Sequence, residues 1–215
     1  MTLKIYGISA SRALRPLWAA KELQVPFQHI ALDYKGGATR TAEFLELNPN
    51  GHIPLLVDER PEGLVTVWES MACALYLVRV HGQPDGKSIT PINPREEAEA
   101  LRWSFWVLSE LEKDALTVLM HRFAMPIEQR KVELAVQAEG RLKGPLAVLE
   151  GHLKAQSAQK QPYLAGSRFT VADLCVASVA HWLRPAHGML KLYPFIAEWL
   201  NSCLARSAYQ QARAL

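Results

Sequence analysis

Every strand-like stretch in this 215-residue chain falls before Trp68, and the long remainder carries only helical periodicity. That asymmetry limits the fold to a mixed α/β portion followed by an all-α portion. Leu3 and Ile5 alternate with Lys4 and Tyr6, as a half-buried strand requires. Between Ala13 and Leu23, Leu14, Leu17, Trp18 and Lys21 recur at helical spacing, and residues 25–32 (VPFQHIAL) alternate again. After Gly36-Gly37, residues 41–47 suit a short helix ending at Asn48-Pro49. Ile53–Val57 and Leu64–Val67 are two further strands, and the Pro61-Glu62-Gly63 turn between them favours an antiparallel hairpin. Trp68–Val80 reads as a helix. The order β-α-β-α-β-β-α predicts a mixed four-stranded sheet with helices over residues 1–80.

Residues 81–91 are rich in Gly, Pro and polar side chains and are expected to link the two domains. An all-helical domain is then expected over 92–215. Its first long helix should bury Leu101, Phe105 and Leu108 and end near Phe123, before Met125-Pro126. Leu142, Leu146, Leu149 and Leu153 mark the core stripe of a second, with a kink expected at Gly144-Pro145. Thr170 and Asp173 form a capping box at the start of a third, with Phe169 and Leu174 at the staple positions. Two shorter helices are expected near 192–204 and 206–213.

The formal charge of +3 comes without any long Lys/Arg cluster, so a nucleic-acid partner is not expected. No run approaches 18 apolar residues, so no membrane partner is expected either. The first residues read as a strand and not as a secretory leader. Cys73, Cys175 and Cys203 stand far apart in apolar helical settings, which suits buried reduced thiols. No His/Cys spacing suggests a metal site. A cytoplasmic protein is the expectation.

Four segments carry a resemblance: Leu3 to Arg15 (LKIYGISASRALR), Asn48 to Pro54 (NPNGHIP), Trp68 to Ala72 (WESMA) and Pro162 to Asp173 (PYLAGSRFTVAD). In this order and spacing they are similar to the cytosolic glutathione S-transferase superfamily, to its serine-type members in particular. The resemblance implies a thioredoxin-like N-terminal domain that binds glutathione, and a helical domain that forms the pocket for a small hydrophobic electrophile. It also implies no metal and a two-fold homodimer.

Such an enzyme must stabilise a thiolate, because a free thiol with a pKa near about 8.5 is mostly protonated at neutral pH. One hydroxyl hydrogen bond to an anion, about 1.5–3 kcal/mol, lowers that pKa by one to two units. Ser9 and Ser11 lie between the first strand and the first helix, where a donor belongs. By resemblance Ser11 is the catalytic hydroxyl, with Ser9 as the alternative, although Ser11 is equally placed to cap the helix. Arg12 reads as a surface charge, and Arg15 as either a surface charge or a source of local positive potential. Pro16 requires an irregular first turn or a helix starting nearer Ala13.

Glu69 and Ser70 open a helix directly after a strand, a place where free amides suit a carboxylate. The resemblance assigns them to the γ-glutamyl end of glutathione, with Glu69 meeting its ammonium. It assigns Ile53 a backbone contact through a cis bond to Pro54, and offers His52 and Arg40 for the glycine carboxylate. Trp106 is the candidate on the electrophile side, with Trp182 and Arg184 closing the pocket. Two alternatives stay open. One is a glutathione-dependent disulfide or peroxide reductase without a protein cysteine, since residues 7–15 contain none. The other is a non-catalytic binding protein of the same fold.

Overall fold

Alternation along the first strand puts Leu3 and Ile5 on one face of a sheet and Lys4 and Tyr6 on the other. The computed structural model describes residues 2–32 and 34–215. In it, β1 (Leu3–Tyr6), β2 (Gln28–Ile30), β3 (Leu55–Arg60) and β4 (Gly63–Trp68) form one sheet in the order β2-β1-β3-β4. The β1–β2 pair is parallel, while β1–β3 and β3–β4 are antiparallel, so the expected hairpin is present. On one face Leu55 and Val57 pack with Phe44 from α2 (Ala42–Leu47). Ile5 and Leu56, paired in register, are fully buried on the other. Asp58 shares that face and accepts hydrogen bonds from Tyr76 and His81 of α3 (Ser70–His81). The helix α1 (Leu14–Glu22) packs against α3.

The chain divides into two compact units, whose bounds differ from the expected domains. One unit is Met1–Thr90 together with Arg206–Leu215; the other is Pro91–Ala205. The last helix, which the sequence reading left in the 92–215 domain, thus belongs with the sheet. Specific contacts explain this. Arg206 donates two hydrogen bonds to Glu22, at 2.6 and 2.7 Å, and Trp18 donates a third to the same carboxylate. The Tyr209 ring meets fully buried Trp18 edge-on, with centroids 4.9 Å apart. Tyr209→Ala should therefore leave a void against Trp18 and cost about 3 kcal/mol of stability. Urea unfolding of the variant and the native chain checks this.

In the second unit, α4 (Pro94–Trp106) and α5 (Lys113–Leu119) continue one another through wide π-type turns at Val107–Glu112, and a further wide turn at Met120–Ala124 ends the run. Asn93 caps the start by accepting from the amide of Glu96. The expected core stripe of this helix is wrong. Phe105 is 65% exposed, and Leu101 and Leu108 are exposed as well. The buried face instead carries Ala100, Trp103, Ser104, Val107 and Leu111. Both sets have helical spacing, but the small Ala100 and Ser104 permit close approach to α7 (Val171–Ala180).

The helix α6 (Val132–Ala158) runs through Pro145 without ending, and its four expected leucines are buried. At the start of α7 both halves of the predicted capping box are present. Phe169 and Leu174 are buried as a staple requires. A short helix α8 (His187–Leu190), absent from the sequence reading, precedes α9 (Pro194–Leu204), and α10 (Ser207–Arg213) closes the chain in the first unit. Among the described residues no helix is long and apolar enough to cross a membrane.

Candidate functional site

Sheet register decides which loops share an end of the first unit. Tyr6 pairs with Leu55, and Leu55 pairs with Trp68. The last residue of β1, the first of β3 and the last of β4 therefore stand side by side. The segments beyond them emerge at the same edge: residues 7–13, 48–54 and 69–70. All of the N-terminal site candidates lie on these segments except Arg40, which reaches one of them from outside.

Gly7 lets two of the segments meet. Its φ is 129°, and a Cβ built there would lie 2.6 Å from Cβ of Ala13 and 3.3 Å from Cβ of Ile53. No larger residue fits without moving the Ser11 turn or the Ile53 loop. Its carbonyl is held by the His29 ring at 2.7 Å, and its amide donates to Ile30.

Ser11 sits partly buried in the turn that follows. Its hydroxyl donates to the Ile8 carbonyl at 2.7 Å and accepts from the Ala13 amide at 3.1 Å. No side chain caps α1, whose N-cap residue is Ala13, so the Ser11 hydroxyl closes a turn ahead of the helix and does not cap it. Ser9 points elsewhere: its hydroxyl donates to the Arg213 carbonyl of α10, and the Arg213 guanidinium donates back to the Ser9 carbonyl. The helix proper starts at Leu14, which puts Pro16 at the third helical position. An amide there has no intrahelical partner to lose, so the proline is accommodated.

Asn48 organises the middle segment. It is buried, donates to the His52 carbonyl at 2.8 Å and accepts from the Asn50 amide. The Ile53–Pro54 bond is cis, as the resemblance implied. Arg40 lies over Gly51, where an added Cβ would fall 2.6 Å from the guanidinium, and donates to the Asn50 carbonyl. Arg40 and His52, both exposed, therefore flank the same glycine. Two cationic or polar candidates far apart in sequence become neighbours.

Glu69 precedes α3 with φ of 69°, unusual for a residue with a side chain, and it is exposed. No side chain caps α3, so its first-turn amides stay open at the positive end of the helix. Ser70 is the first helical residue. Its hydroxyl accepts a 2.6 Å hydrogen bond from Arg15, whose side chain is only 1% exposed. Arg15 is thus not a surface charge. It lies in the apolar run Leu14–Ala20, all of which is buried, and that setting was the available signal. Gly7 and Asn48 were likewise passed over in the sequence, although a glycine closing a strand is a usual mark of a crowded turn. Burial pushes the pKa of nearby Cys73 up to about 12, so its thiol is inert at neutral pH.

The register and these contacts bring Ser11, Ile53 and Ser70 to one sheet edge, with Arg40 and His52 beside the Ile53 loop. Trp106 belongs to the second unit. It is half-buried on α4 and meets the buried Trp103 ring edge-on at 5.0 Å. Trp182 is buried in the same unit, and Arg184 is exposed. The first unit thus carries the Ser11 hydroxyl, the cis Ile53–Pro54 bond and the uncapped start of α3 at one end of its sheet. Among the described residues no group of His, Cys, Asp or Glu could hold a metal ion.

Comparison with known proteins identifies the family. Residues 1–79 match the profile of the glutathione S-transferase N-terminal domain, and residues 112–207 match that of the C-terminal domain. The chain is 30% identical over 203 residues to glutathione S-transferase GstB of Escherichia coli K12, covering 94% of this chain and 93% of that one. It is 28% identical over 222 residues to glutathione S-transferase 3 of Zea mays, covering 99% and 93%. Among solved structures, glutathione S-transferase III in apo form superposes with a TM-score of 0.80 at 26% identity, covering 100% of this chain and 96% of that one. Glutathione S-transferase-I bound with lactoylglutathione gives 0.83 at 23% identity, covering 100% and 99%. The chain belongs to the glutathione S-transferase family.

Proposed function

We propose that this chain is a serine-type glutathione transferase, which binds glutathione along the sheet edge and adds its thiolate to small hydrophobic electrophiles. The observation that carries this is the convergence of Ser11, the cis Ile53–Pro54 bond and the uncapped start of α3 at one edge. In this reading the open amides and Ser70 hydroxyl take the γ-glutamyl carboxylate, and Glu69 takes its ammonium. The Ile53 backbone pairs with the cysteinyl unit, and Arg40 and His52 hold the glycine carboxylate. Ser11 meets the sulfur.

The Ser11 proton must then leave the Ile8 carbonyl. Magnitudes favour the exchange, since a hydrogen bond to a charged acceptor contributes about 1.5–3 kcal/mol against about 0.5–1.5 for a neutral one. The oxygen need not move, so the Ala13 amide keeps its acceptor. Conjugation then needs only an activated, positioned thiolate. The electrophile is assigned to the helical unit, with Trp106 as its contact. The exposed stripe Leu101, Phe105 and Leu108 is the surface a second copy would cover in a homodimer.

A second reading is ligand binding without turnover, favoured by the Ser11 proton being committed within its own turn. A glutathione-dependent reductase relying on a thiol in the 7–15 turn is disfavoured, since that turn has no cysteine, and the reductase without a protein cysteine is told apart by glutathione oxidation without conjugation. Calorimetric titration with glutathione, followed by a conjugation assay on an activated aryl halide, separates these. Binding with conjugation is expected. Binding without conjugation selects the second reading, and no binding sinks both.

A further inference from the structure

We propose that Arg15 is a positioning residue: it fixes the Ser70 hydroxyl as an acceptor on its inner side, so that the Ser70 proton is presented to a carboxylate at the start of α3. The inference rests on the glutathione reading above and adds a residue to it. An arginine has only donors, so the 2.6 Å contact has one polarity: the guanidinium gives, and the Ser70 oxygen receives. A serine hydroxyl owns a single proton, which then has to leave in a direction away from Arg15. Both side chains are shielded, at 1% and 5% exposure, so water competes poorly for the bond and the orientation persists without ligand.

The placement also carries charge. The guanidinium lies one hydroxyl away from the first residue of a 12-residue helix whose opening amides have no side-chain cap. Its positive charge adds to the positive end of that helix, and both favour an anion over a neutral group. Arg15 comes from α1, one turn after Ser11, while Ser70 comes from α3. The pair therefore also ties the thiol-facing turn to the carboxylate-facing helix through one buried bond.

The test compares two ligands: glutathione, and its analogue with the γ-glutamyl α-carboxylate replaced by hydrogen. Dissociation constants are measured for the native chain, Arg15→Gln, Ser70→Ala and the double variant. Arg15→Gln should weaken glutathione about tenfold while changing the decarboxylated analogue less than about twofold. Ser70→Ala should show the same selectivity, and combining the two should add little, because they act through one carboxylate. If Arg15→Gln weakens both ligands equally, or neither, Arg15 only supports the fold and the proposal is overturned. Should that variant not fold, Arg15→Met, which suits the buried setting and has neither charge nor donor, decides with the same ligand pair by the same criterion. A native chain that binds neither ligand overturns the glutathione reading itself, an outcome distinct from loss of selectivity.

Discussion

Asp173→Ala should cost the helical unit about 4 kcal/mol or more and leave it largely unfolded at physiological temperature. The carboxylate is fully buried and accepts four hydrogen bonds. One oxygen takes the Leu164 amide and the Trp199 indole N–H, both at 2.9 Å. The other takes the Thr170 amide and hydroxyl, at 2.9 and 3.2 Å. Burial pushes the pKa of this carboxyl up, and the four donors act against that. Alanine would strand two buried amides and an indole N–H, each at about 1–3 kcal/mol. The loss would not stay local, because these donors come from the 162–170 loop and from α9 while Asp173 itself is on α7. Asp173→Asn is the informative companion. It keeps one acceptor oxygen and so retains one of the two donor pairs, for a loss of about 2 kcal/mol. Chemical denaturation of both variants checks the ordering; equal stability of Asp173→Ala and the native chain would mean the capping box is ornamental.

Ser11→Ala should lower kcat/KM for conjugation about 10- to 100-fold while leaving glutathione affinity nearly unchanged. The hydroxyl is proposed to touch only the sulfur, and it does so more strongly once the sulfur is charged. Its removal therefore acts on the anion and spares contacts at both ends of the tripeptide. The variant also deprives the Ala13 amide of its acceptor, while the Ile8 carbonyl keeps the Ser11 amide as donor, for a stability loss of about 1 kcal/mol. That is small enough for the folded variant to be assayed. A Ser9→Ala variant should differ little from the native chain in conjugation, because the Ser9 hydroxyl is engaged with Arg213 of α10. If Ser9→Ala were the inactive one, the assignment of the two serines would be reversed.

The parts of the molecule legible in the sequence are those governed by local chemistry. The Pro61-Glu62-Gly63 turn between two apolar runs marks the hairpin of Leu55 to Trp68, the leucine repeat marks the buried face of α6, and Thr170 with Asp173 announces the start of α7. What stayed hidden depends on contacts distant in sequence. On α4 two apolar stripes share one period, and only packing against α7 selects Ala100–Trp103–Val107 over Leu101–Phe105–Leu108. The allegiance of α10 rests on Glu22 and Trp18, nearly the whole chain away. At the proposed site, Ser11, Ile53 and Ser70 are candidates by resemblance, but the direction in which the Ser11 proton points is set by the Ile8 carbonyl, which no pattern reveals. Arg15 was visible as a residue and invisible as a partner for Ser70, because α1 and α3 meet only in the folded domain.

The decisive experiment is an ultraviolet titration of the glutathione thiol in the binary complex, following thiolate absorbance against pH. Free in solution, a cysteine thiol titrates near about 8.5. With Ser11 donating to the sulfur, the bound thiol should titrate about one to two units lower, and Ser11→Ala should return it most of the way. A bound thiol that ionises at the same pH as the free tripeptide would show that this sheet edge holds glutathione without activating it.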